Sequence, residues 1–423
     1  MSRFTKLIHR ACIGCTLLSL GNLEAKWQNP AIVSPFNSDV SNGIDDSGNA
    51  TVVWLESSSI TNHIYSVTLS KDENLFWLGV ETLLSKDSVR LESIKIAVAS
   101  DGNAIVIWQE RDDGQTKLRA STKPFKGKWS EPVDLGIGST KYINTPADVS
   151  ISRNGYAIAV WASITGIQTA TYNFDGTWSN VVDIGVNGND PKIKLDKFGN
   201  AVAVWHTDGS VQSSCLPYRG QWTPAVKISD QNAGNPQLAM NAAGFAVASW
   251  TGTSNQSSIV SLYAATLKFG QHWSTPALVS TADMILEQDL AIDAQNRTIL
   301  VWGQQDLIEN VAYPTASNKY LQAAEWMEDH WSRPHTISGQ DSVLNHCLAI
   351  DNNGNALAVW NTYSEMKFTT HAFDSYWTTP ETIATGNYGL ISKPQLALES
   401  PGYAVLNWVS ESCQVESAQW IAD

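Results

Sequence analysis

The chain has 423 residues, of which 43% are hydrophobic and 16% charged; that balance excludes a charged disordered chain and a bundle of membrane helices. Acidic residues outnumber basic ones 41 to 27, a net charge of −14 at pH 7, so the basic face of a nucleic-acid binder is not expected. The unusual figure is 18 Trp against 5 Met.

Arg3, Lys6, His9 and Arg10 give the chain a basic start, followed by an apolar run from Ala11 to Leu20 and the small Ala25 before Lys26. That order reads as a secretory signal peptide over residues 1–25, too short to span a bilayer. A lipoprotein cleavage at Gly14-Cys15 is the rival reading, disfavoured by the short apolar run before Cys15. The expected destination is periplasm, outer surface or medium. Arg3, Lys6, Arg10 and Glu24 carry a net +2, whose removal takes the remainder from −14 to −16. No later stretch approaches the roughly 18 apolar residues of a spanning helix. Cys215, Cys347 and Cys413 remain; an odd number outside any repeat points to one chance pair or three buried thiols, not a disulfide framework.

From Lys26 onward the chain repeats itself. Asp45-Asp46-Ser47-Gly48-Asn49-Ala50-Thr51-Val52-Val53-Trp54 matches Asp351-Asn352-Asn353-Gly354-Asn355-Ala356-Leu357-Ala358-Val359-Trp360. Further copies end at Trp108, Trp161, Trp205, Trp250, Trp302 and Trp408. Six residues before each of these Trp stands Gly, with Asn296 the one substitute. A second column, Trp27, Trp77, Trp129, Trp178, Trp222, Trp273, Trp331 and Trp377, falls between the copies, and together the columns take 16 of the 18 Trp. A residue that recurs once per unit is core. Trp326 and Trp420 stand outside the pattern.

Each unit reads as four short extended runs; in the fourth unit they are Pro191–Lys197, Asn200–Thr207, Val211–Pro217 and Trp222–Ile228. Val, Ile, Ala and aromatics fill the runs, while Gly, Asn, Asp and Pro bound them. The D-x-x-G link between the first two supplies a side chain that bonds its own backbone and a Gly free to take positive φ. Four strands of about 50 residues repeated without helices describe a β-propeller blade. The expectation is therefore an all-β, eight-bladed β-propeller of four-stranded blades forming one domain over residues 26–423. The chain opens with a fourth-strand segment, Trp27–Ser34, and its last unit lacks one, so that segment should complete the blade of Lys393–Gln419 and close the ring.

The pattern D-x-x-G-N-A-x-A-V-W, with W-x-x-P between copies, resembles β-propeller repeat proteins exported by bacteria, many of them uncharacterised. It covers nearly the whole chain after the signal segment. The resemblance implies a fold and is almost silent on activity.

A search for chemistry yields little. Asp351-Asn352-Asn353-Gly354 lacks the alternating carboxylates of a calcium loop, and Ala99 and Ser152 stand at the equivalent of Asp351. No metal or cofactor is expected. His330, His335 and His346 show no ligand spacing, and no G-x-S-x-G elbow occurs. Paired loop carboxylates for glycosidase work stay open, because a ring brings distant loops together. A sialidase-like site needs convergent Arg, yet the chain after residue 25 has seven, without repeat logic.

Loop lengths carry the remaining signal. The links between strands one and two, and most between three and four, are short, whereas two-to-three and four-to-one links vary. Geometry puts the variable set on one end of the ring, where binding surfaces are usually built. The candidate binding residues are Glu110, Arg111, Asp208, Asp306, Glu309, Tyr313 and Glu365, read as an acidic rim at the channel mouth suited to a basic partner. The expected function is an exported, monomeric, non-enzymatic binding or scaffold propeller engaging a protein or cell-surface glycan. The alternative is a carbohydrate-binding or glycoside-hydrolysing propeller, lectin or sialidase-like.

Overall fold

The computed structural model describes residues 26–28, 30–35, 39–57, 61–71, 80–87, 90–112, 114–138, 147–153, 155–173, 175–230, 232–253, 259–308, 315–316, 319–327, 329–372, 374–388, 393–399 and 402–421. The segment read as a signal peptide, residues 1–25, lies outside them, as does Trp77.

Why the repeat folds as it does is visible in one unit. The fourth blade runs Gly188–Leu195, Ala201–Thr207, Ser210–Leu216 and Val226–Lys227, paired antiparallel in chain order. Its second strand is buried along nearly its whole length, so it reads as a continuous apolar run of Ala and Val. The turn into that strand is built by Asp196. One carboxylate oxygen accepts the backbone N–H of Phe198 and Asn200, and the other accepts the Asn200 side-chain amide. Asp45 and Asp351 do the same in their blades. These carboxylates are spent on shaping a turn. The column six residues before each blade Trp has positive φ in all eight copies, from 70° at Asn296 to 88° at Gly354, which is why Gly fills it and Asn alone substitutes.

Eight such sheets follow one another, and no described residue is helical. Their innermost strands are Asp39–Ile44, Arg90–Val98, Asp148–Ile151, Gly188–Leu195, Ala233–Met240, Met284–Ile292, Asn345–Ile350 and Gln395–Glu399. The last sheet takes its outer strands from the start of the chain. Lys26–Trp27 and Ala31–Pro35 both pair antiparallel with Gln414–Ile421. The ring is closed as the repeat count implies.

Closure also shows in the core, which is eight clusters, one per seam between blades. The eighth joins Tyr403, Val405 and Val415 of the last blade to Val40, Val52 and Trp54 of the first. Each blade Trp sits in the seam with the preceding blade. Trp205, for example, packs among Ile158, Val160 and Ile167 of the third blade, and all eight of these Trp are at most 2% exposed. The seven described members of the second Trp column line the same seams from further out, half-buried. There, Trp129 Nε1 donates to Ser66 Oγ of the neighbouring blade at 2.7 Å. Trp222 precedes its fourth strand rather than opening it, since pairing starts only at Val226.

The seam also explains a glycine. A Cβ at Gly185, in the fourth strand of the third blade, would lie 2.7 Å from the Trp205 ring; the indole of the next blade lies flat on that backbone. Gly136 serves Trp161 in the same way at 2.8 Å.

The three cysteines are free, and of them Cys347 alone is buried, so neither a chance pair nor three buried thiols describes them.

Three stability outcomes follow, the first two read by equilibrium denaturation and the third by thermal melting. Trp205→Ala should cost about 3–5 kcal/mol as a large truncation in a filled seam, and Gly185→Val about 1–3 kcal/mol by overpacking the same seam. Removing residues 26–35 should lower the melting temperature by exposing the edge of Gln414–Ile421; unchanged melting would show that closure contributes nothing.

Candidate functional site

Antiparallel order puts the two-to-three and four-to-one connections of every blade on one face of the ring. A two-residue ribbon, Leu307–Ile308 against Thr315–Ala316, extends the sixth blade there. Of the candidate residues, Glu309 and Tyr313 lie outside the described residues.

The others are on this face but are dispersed over four blades. Glu110 is buried and accepts a hydrogen bond from Arg119 Nη1 at 3.2 Å, while Arg119 Nε also meets Asp134 at 2.7 Å. That arrangement ties three strands of the second blade together. Arg111 pairs with Glu92 at 3.6 Å. Asp306 accepts the Tyr320 hydroxyl at 2.5 Å and the Gln304 amide at 3.0 Å. Burial and that carboxylate push the Tyr320 phenol up to about 12. Glu365 accepts from Thr382 at 3.0 Å and lies 3.8 Å from Lys367. Asp208 is an exposed turn residue with φ 46°. These contacts stay within single blades.

The same face exposes apolar side chains between its charges. Ile164 is 69% exposed, Val186 72% and Tyr363 62%, all at connections on this end. On the opposite face, the exposed rings of Phe125 and Phe198 lie under the ammonium groups of Lys126 and Lys197, at 5.0 Å each.

A second feature is the channel that the innermost strands enclose. The residue thirteen positions before each blade Trp forms a column: Ser41, Lys95, Asp148, Lys192, Gln237, Asp289, Cys347 and Gln395. All but Ser41 line one cavity of about 350 Å³, with Lys194 and Lys393 one step along their strands. Two residues further along each inner strand stand Ala97, Ala239, Ala291, Ala349 and Ala397 in five blades and Gly43, Ser150 and Lys194 in the other three. The sequence reading missed the belt. Its signal was the charged residues at a fixed distance from Trp in strands otherwise apolar.

An innermost strand has no further strand to take its free edge, and side chains of the neighbouring blade do so instead. Asp39 accepts the N–H of Ile94 at 3.2 Å, Ser41 that of Ile96 at 3.3 Å, Asp148 that of Ile193 at 2.9 Å and Ser150 that of Leu195 at 3.1 Å. Part of the channel's polarity is therefore structural.

The rest is electrostatic. Burial lowers the Lys95 ammonium below its usual range, Asp39 and Asp148 oppose that, and Lys393 and Lys192 add to it. Burial works the same way on Lys393, but its Asp289 partner outweighs it and holds the amine above the usual range. Lys192 is paired with Asp190. His346, fully buried behind the belt, is pushed down to about 4 by burial despite Asp289 at 3.6 Å, so its imidazole is neutral at pH 7. Burial drives the Cys347 thiol well up, which leaves it a poor nucleophile.

No family model matches the chain, and no curated protein matches it in sequence. Solved structures do. Polysaccharide lyase Uly1 superposes with a TM-score of 0.53 at 9% identity, over 78% of this chain and 89% of that one. What the two share is the fold. Penicillium chrysogenum alpha-L-arabinanase, complexed with arabinobiose, follows at TM-score 0.45 and 9% identity, over 94% and 98% of the two chains. A leech intramolecular trans-sialidase gives 0.43 at 8% identity, over 94% and 93%. The described residues contain no helix long and apolar enough to cross a membrane.

The placement of the candidate residues separates two of them energetically. Glu110→Ala removes the buried one of Arg119's two carboxylate partners and should cost about 1–3 kcal/mol, whereas Asp208→Gly relieves a positive φ and should leave stability unchanged or raised by up to about 1 kcal/mol. Paired urea titrations check both.

Proposed function

We propose that this chain is an exported, non-enzymatic binding propeller, monomeric, that engages a protein partner through its loop face. The observation that carries the reading is the asymmetry of the two ends. The described turns of the other face are bonded through their own backbone; two of its exposed rings, Phe125 and Phe198, are capped by lysines and a third, Tyr376, is open. The loop face combines uncapped Ile164, Val186 and Tyr363 with acidic Asp208, Asp306 and Glu365 on a rigid closed ring. Exposed apolar groups rimmed by polar ones mark protein-contact surfaces, and the acidic rim selects a partner with basic side chains. Glu309 and Tyr313 belong to the same proposed rim by their place in the sequence.

Carbohydrate recognition is the second reading. One observation favours it: the channel cavity presents amides and carboxylates of the kind that take sugar hydroxyls. The polysaccharide lyase Uly1 has the same fold.

A peptide display selection on the intact chain separates the two. It should enrich peptides that combine Lys or Arg with apolar residues. Their binding should be lost in an Ile164→Asp/Val186→Asp/Tyr363→Ser variant and kept in Phe125→Ser/Phe198→Ser. No enrichment, together with strong glycan-array hits or turnover of a glycoside panel, would overturn the proposal in favour of the carbohydrate reading.

A further inference from the structure

The channel carries an inference that does not depend on the loop face. The chain is acidic overall, at −14, yet the cavity wall reverses that sign: four lysines, Lys95, Lys192, Lys194 and Lys393, against two carboxylates, Asp148 and Asp289. The two carboxylates are also largely committed. Asp148 accepts the backbone N–H of Val149 at 3.0 Å and of Ile193 at 2.9 Å, and Asp289 is taken by Lys393. Two ammonium groups are less engaged. Lys95 forms no salt bridge with any described residue, and Lys194 has its nearest carboxylate, Asp148, at 3.8 Å. Beside them the Gln237 side chain makes no hydrogen bond with another described residue, so both its amide donor and its carbonyl acceptor are available.

We propose that the central channel is a binding site for a small hydroxylated anion, a sugar unit bearing one carboxylate or phosphate, held at its charge by Lys95 and Lys194 and at its hydroxyls by Gln237. Ammonium groups out of bulk water bind anions through charge-assisted hydrogen bonds stronger than neutral ones. The amide supplies the directional contacts that a point charge lacks. A cavity of about 350 Å³ stands at the small end of ligand pockets, roughly 300–1,000 Å³, which suits a single sugar unit rather than a chain threaded through the ring. The lowered Lys95 ammonium fits this role: an incoming anion replaces the solvation that burial removed and restores the charged form. Because the folded-state titration of Lys95 lies below its usual value, the anion loses its partner as pH rises through that lowered value.

Calorimetric titration of the intact chain at low salt tests the site, with glucuronate, glucose 6-phosphate, glucose and glucosamine as probes. At least one of the two anionic sugars should bind about tenfold or more tightly than glucose, the loss expected for one charged hydrogen bond; which one does so separates carboxylate from phosphate. Lys95→Met should reduce that affinity about tenfold while leaving the melting temperature unchanged, because the lysine has no salt bridge to lose. Lys194→Met gives an independent reading should the first variant fold poorly. Affinity should also fall as pH rises from neutral toward the ordinary lysine range, and should survive in the loop-face triple variant. Equal binding of all four sugars, tighter binding of glucosamine, or full affinity in both lysine variants would overturn the proposal.

Discussion

The structure depends on one repeated contact, an indole wedged into the seam between its own blade and the blade before it. A four-stranded sheet cannot bury both faces alone, and a large flat ring fills the gap that twist opens between neighbouring sheets. With Trp54 in the seam between the last blade and the first, the contact carries round the ring. The cost of losing any one seam falls on the whole circle, since each blade is braced from both sides.

Edges set the second constraint. Every blade has an inner strand facing the channel and an outer strand facing solvent, and both leave backbone groups unpaired. On the inner side, Asp39, Ser41, Asp148 and Ser150 reach across to the next blade's N–H groups. Asn42 does the same backwards, donating to Gln395 O at 3.1 Å and to Asn407 Oδ1 at 2.7 Å across the closing seam. Polar residues in the channel are thus required by the backbone before any ligand is considered. What exceeds that requirement is the lysines.

The two candidate surfaces differ in electrostatic character. The loop face is acidic with apolar islands, and its charges are spread over separate blades. The channel is a confined space where charges cannot be screened well by water, so Lys393 lowers the proton affinity of Lys95 and of His346, while Asp289 raises that of Lys393. Rigid scaffold and coupled charges meet there, the two conditions under which a small ligand is recognised with little reorganisation.

Sequence alone determined the unit, its count and its closure, because those are written in periodic features: Gly at a positive-φ turn, Trp at a strand end, and a spare fourth strand at Trp27–Ser34. It identified the variable face for the same reason. It did not reveal that Glu110 is a buried partner of Arg119, or that Asp306 is held by Tyr320, since those contacts run across strands at spacings that differ from blade to blade. The channel belt was periodic too, thirteen residues before each Trp, but its members differ in chemistry from blade to blade: Ser, Lys, Asp, Gln and Cys share a position without sharing a property. Only closing the ring brings Lys95 of the second blade near Lys393 of the eighth, because their proximity is set by curvature, which no local pattern encodes.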